Sequence, residues 1–89
     1  MNIEFELTRD MINAGKWDHG VDNAISLGLG SVTGLRYLAK LGSVGVVLLR
    51  PFGDAPEDAK EYVIRNDSAY NHLASGAYLR SGWFTAKEV

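Results

Sequence analysis

Apolar and acidic residues alternate strictly at the start of the chain, with Ile3, Phe5 and Leu7 set against Glu4 and Glu6. A period of two puts each residue type on its own face of an extended backbone, so this stretch predicts a half-buried strand with carboxylates toward solvent. Glutamates on the outer side also discourage edge-to-edge pairing if the strand lies at a sheet edge. Thr8 then supplies an N-cap oxygen for a short helix, with Asp10 in its first turn and Gly15 at its end.

Further along, the apolar period lengthens. Asp18 is placed as the N-cap of a segment in which Val21, Ala24 and Ile25 share a helical face. Gly28-Leu29-Gly30 interrupts it, and Ser31 caps a second helix with Val32, Leu35, Leu38 and Ala39 as its apolar stripe. Arg36 and Lys40 occupy the other side, and Gly42 fits the left-handed position after the last turn. Residues 18–41 are therefore expected to form a helical hairpin packed on the sheet.

The run Val44, Val46, Val47, Leu48 and Leu49 is β-branched and apolar in both phases, the pattern of a central strand covered on both faces. Pro51 has no amide hydrogen for a ladder and marks the end of the strand. Phe52 to Asp58 is turn-like. Ala55, Ala59, Tyr62 and Val63 also fit a helical spacing, and Asp54 with Glu57 resembles a capping box. The compact strand-forming cluster Tyr62-Val63-Ile64 decides for a hairpin of strands 44–50 and 61–65. Asp67 or Ser68 caps a final helix carrying Ala69, Leu73, Ala77 and Leu79, in which Gly76 costs about 1 kcal/mol relative to alanine. Ser81-Gly82-Trp83 reads as its stop, with Gly82 left-handed and Trp83 folding back toward Tyr78. The expected fold is α+β: a single domain over residues 1–89, with a three-stranded, mainly antiparallel sheet and helices on one face. Its order is β-α-α-β-β-α, a two-layer sandwich.

Composition narrows the chemistry more than the architecture. With no cysteine, neither a disulfide framework nor a thiolate metal site is available, which fits a reducing, cytoplasmic setting. The N-terminal residues lack the basic start and apolar run of a secretory signal, and Val44–Leu49 is far too short to cross a bilayer. A net charge of −2, from nine basic and eleven acidic residues, gives no global attraction to a phosphate backbone. Nucleic acid is therefore not an expected partner unless Arg36, Lys40, Arg65 and Arg80 converge on folding.

Several local groupings suggest chemistry, and each has a simpler structural reading. Gly28 to Gly34 could cradle an anion on backbone amides, with Gly30, Ser31 and Arg36 as its elements. Its spacing departs from the dinucleotide fingerprint, and it lacks the lysine of a phosphate loop, so a helix–helix turn is the simpler reading. Asp18, His19 and Asp22 could hold a metal or orient a base, but an N-cap aspartate and a solvated polar face are by far the simpler reading. His72, near Ser68 and Ser75, has no signalled orienting partner or oxyanion donors and reads as structural. No catalytic residue, cofactor or metal is assigned on these grounds.

Binding features remain. Trp17, Phe52, Trp83 and Phe84 fall in predicted connections or ends, and aromatic residues in such places either close a core or anchor an interface. Asp54, Glu57 and Asp58, with Glu61 and the interleaved Lys60, form an acidic patch that reads first as a solvated loop and, in the sharper alternative, docks a basic surface. The sequence thus points to a small non-enzymatic protein-interaction module of the kind found among bacterial and phage accessory or inhibitory factors. Its expected surface comprises Trp17, Trp83, Phe84, Asp54, Glu57 and Asp58, and its expected partner is a larger protein or complex. The alternative is a small-ligand or nucleotide binder using the Gly28–Gly34 turn and Arg36. A homodimer through an edge strand or the Trp83-Phe84 end would add burial that so short a chain lacks.

Overall fold

In the computed structural model, which describes residues 1–89, the opening alternation becomes strand β1 (Asn2–Leu7), with Phe5 and Leu7 fully buried and both glutamates exposed. Thr8 caps α1 (Arg9–Ala14) by accepting from the Met11 amide at 3.2 Å, and the Gly15 amide closes the helix on the Met11 carbonyl.

The segment 18–41 is not a helical hairpin. A single helix, α2 (Ala24–Thr33), is followed by strand β2 (Tyr37–Leu41). Asn23, rather than Asp18, caps α2: its Oδ1 accepts from the Ser26 amide at 2.8 Å. Gly28 and Gly30 lie inside the helix instead of breaking it. A Cβ on Gly28 would run into Leu7 and Phe5, so the glycine is what lets α2 approach β1 so closely. The helix ends at Gly34, whose φ of 76° is left-handed, which leaves Ser31 inside the last turns and not at a cap. Residues after this stop pair instead: β2 runs antiparallel to the next strand, from Tyr37 opposite Pro51 to Leu41 opposite Val47. Leu35, Leu38 and Ala39 fit a period of 3.6, but Tyr37, Ala39 and Leu41 also fit a period of two, and the neighbouring strand selects the second. Gly42 accordingly belongs to the turn joining two strands, where its amide donates to the Val46 carbonyl.

The predicted hairpin forms as β3 (Val46–Pro51) and β4 (Tyr62–Arg65), in register through Val47 opposite Ile64 and Leu49 opposite Tyr62. However, β3 is not covered on both faces, because Leu48 is 43% exposed while Val47 and Leu49 are buried. Asn66, rather than Asp67 or Ser68, caps α3 (Asp67–Ser75), accepting from the Ala69 amide at 2.9 Å. Gly76, with φ 73°, is the left-handed C-cap of α3 and not an interior glycine, so Ala77 and Leu79 lie beyond the helix. The C-terminal stretch forms strand β5 (Gly82–Glu88), not a helix stop, so Trp83 does not fold back toward Tyr78. Phe84 and Ala86 are buried while Trp83, Thr85 and Lys87 are exposed, again a period of two.

The result is a five-stranded antiparallel sheet ordered β1-β5-β4-β3-β2, with the chain running β1-α1-α2-β2-β3-β4-α3-β5. The α+β class holds, but the sheet has five strands rather than three: Tyr37–Leu41 is a strand where the sequence predicts helix, and Gly82–Glu88 is a strand where it predicts only a helix stop. One core of 14 residues joins the inner side of the sheet to α2 and α3, with Phe5, Tyr37, Leu49, Ile64 and Phe84 on the strand side. No helix is long and apolar enough to cross a membrane.

Candidate interaction surface

With its helices packed on one side, the sheet leaves its other side open. The register defines what stands there. One row crosses four strands as Lys87, Val63, Leu48 and Lys40, each residue opposite the next. The neighbouring row on one side pairs Arg65 with Val46, and the row on the other side pairs Arg50 with Leu38. Val63 and Leu48 are thus an aliphatic pair framed by four cations: a lysine at each end of their row and an arginine diagonally across each flank. Diagonal neighbours on adjacent strands lie about 7–8 Å apart, so the frame is tight. Val63 is only 8% exposed, yet it lies outside the core cluster, because its cover comes from neighbours on the open side. Two adjoining depressions of about 320 and 460 Å³ share Leu48 and the exposed Val89.

The four cations are exposed, and no carboxylate oxygen lies within 4.0 Å of any of them. Two arginines elsewhere are engaged. Arg9 donates to the Tyr78 hydroxyl at 3.1 Å and the Leu79 carbonyl at 3.0 Å. Arg36 lies 3.6 Å from Asp22 and over the Phe52 ring. Acidic groups also stand on this side: Glu4 and Glu6 on edge strand β1, Glu61 lining one depression with Lys40 and Arg50, and Glu88 lining the other with Arg65 and Lys87.

The residues singled out from the sequence are dispersed. Trp83 is on the open side, 70% exposed and opposite Glu6. Phe84 points the other way, into the core, where its ring stacks on Phe5. Trp17 is partly exposed and covers Gly76, joining the loop before α2 to the end of α3. Asp54, Glu57 and Asp58 are exposed on the β3–β4 connection, at the opposite end of β5 from Trp83. Of the basic set, Lys40 and Arg65 come together, while Arg36 precedes β2 and Arg80 precedes β5. Arg50 and Lys87 were missed, although both sit two residues or fewer from apolar positions whose alternation fixes the outward phase.

Gly30 and Ser31 lie toward the C-terminal end of α2, where the helix dipole is negative. Ser31 Oγ donates to the Gly28 carbonyl at 2.7 Å and the Gly30 carbonyl accepts from Gly34, so these residues are occupied within the helix. That geometry gives an anion site no support. His19 Nδ1 lies 3.4 Å from Asp22, but Asp18 does not join them, and nowhere do three His, Asp or Glu side chains gather as a metal cradle. His72 Nδ1 is 2.8 Å from the Ala77 carbonyl, and Ser75 Oγ donates to Asn71, so no Ser–His pair exists. Tyr62 is the one group whose titration is clearly displaced: burial raises its pKa, with Tyr37 and Glu88 adding to the effect. No family model, curated protein or solved structure matches the chain.

Proposed function

We propose that the protein is a non-enzymatic interaction module, an accessory or inhibitory factor that binds a larger protein through the open side of its sheet and occludes it. The supporting observation is the break in alternation at Val46, Leu48 and Val63. A solvated antiparallel face normally carries polar residues, and here the centre of that face is aliphatic. Covering the exposed Leu48 and Val89 with a partner removes apolar surface from water, at about 25 cal/mol per Å². Trp83, on the same face, adds an aromatic anchor of the type enriched in interface hot spots.

A photo-crosslinking residue placed at Leu48, with a second placed at exposed Ala14 on the helical side, tests this in the cells that make the protein. The expected result is a discrete adduct from position 48 that is absent from position 14. No adduct at 48, or the same adducts from both positions, would remove the reading.

A further inference from the structure

We infer that the segment received on the open side is acidic and extended, with carboxylates alternating with aliphatic side chains; this rests on the interaction reading above. Four of the nine basic residues of a net acidic chain surround Val63 and Leu48, against two carboxylates, Glu61 and Glu88, that line the same depressions, and none of the four forms an ion pair within 4.0 Å. Like charges grouped this closely raise the local potential and favour an anionic partner. The floor they frame is aliphatic, so the ligand has to offer apolar groups as well as charge. An extended peptide does both. Its alternate side chains point the same way at about 6.8 Å, close to the diagonal spacing of Lys40 with Arg50 and of Lys87 with Arg65. When carboxylates and aliphatic groups take turns at these same-side positions, the carboxylates meet the cations and the aliphatic groups lie on Leu48 and Val63, while the intervening residues point away from the sheet.

A nucleic-acid strand fits less well. Base stacking needs aromatic platforms, and Trp83, the aromatic on this side, stands opposite Glu6 and away from the lysine row. The required partner charge is opposite to that expected for the acidic loop, which joins β3 to β4.

Fluorescence anisotropy with a labelled nine-residue peptide carrying glutamate and leucine in turn at every second position, with serine between them, tests the inference, with the same peptide bearing lysine for glutamate and a short oligo-dT as comparators. Saturable binding of the glutamate–leucine peptide is expected, weakened about tenfold or more in an Arg50→Gln/Arg65→Gln variant whose thermal unfolding is unchanged. Absence of saturable binding, equal affinity for the lysine peptide, indifference to the double substitution, or tighter binding of oligo-dT would each overturn it. The two readings separate at the crosslink. An adduct at position 48 whose partner segment lacks carboxylates removes the acidic specificity and keeps the interaction module, whereas no adduct removes the module itself.

Discussion

Phe5 and Phe84 stack across the β1–β5 pairing with ring centroids 6.0 Å apart, while Trp83, the residue beside Phe84, turns the opposite way and is 70% exposed. Two consecutive aromatics therefore have different roles, set only by the phase of one strand. Phe84→Ala should cost about 3–5 kcal/mol, since it removes a ring from a closed core. Trp83→Ala should change stability by no more than about 0.5 kcal/mol. Urea unfolding of both variants checks the pairing; equal losses would mean that β5 is registered differently.

Asn23 holds the loop before α2 together. Fully buried, it caps the helix through Oδ1, and its Nδ2 donates to the His19 carbonyl at 2.8 Å and the Gly20 carbonyl at 3.1 Å. The Gly20 carbonyl in turn accepts from the Ala39 amide, tying this loop to the free side of β2. Asn23→Ala removes the cap and leaves the His19 carbonyl without its side-chain donor, a loss of about 2–3 kcal/mol. Hydrogen exchange should then quicken at Ala39 before it quickens in β1. Uniform acceleration across the sheet would show that the loop does not guard that edge.

The parts legible in the sequence were those where pattern and capping chemistry agreed. β1 is a pure alternation bounded by a threonine cap, and β3 with β4 is a β-branched cluster ended by proline. The failures share one cause. Leu35–Leu41 carries apolar residues at spacings that serve either period, Gly82–Glu88 reads locally as a helix stop, and in both cases pairing with other strands made the choice. Gly28 compounded the first error, because a glycine needed for close packing inside a helix looks locally like a breaker. The cationic frame was out of reach for the same reason: Lys40 and Lys87 meet the Leu48–Val63 pair only once β2 and β5 are strands.

That close packing makes Gly28→Ala informative. Helix propensity alone favours alanine by about 1 kcal/mol. At this position the added methyl meets Leu7 and Phe5, both fully buried, and overpacking of this kind costs about 1–3 kcal/mol. A lower thermal midpoint is expected for Gly28→Ala, against little change or a small gain for Val32→Ala on the exposed side of the same helix. A raised midpoint for Gly28→Ala would show that β1 can move aside.

The displaced titration of Tyr62 predicts a definite alkaline behaviour. Burial raises its pKa, and the neighbouring Tyr37 and Glu88 raise it further by disfavouring a second negative charge. In the unfolded chain a tyrosine titrates near 10, so above that pH the unfolded state releases a proton that the folded state still holds. The folded state therefore binds more protons in this window, and stability falls as pH rises. The contribution is fully present below about pH 10 and is lost as pH climbs through the folded pKa. Tyr62→Phe has no proton to release and should show a shallower decline in denaturation midpoint over this range. Parallel curves for the two proteins would mean that the hydroxyl titrates in the fold as it does in water.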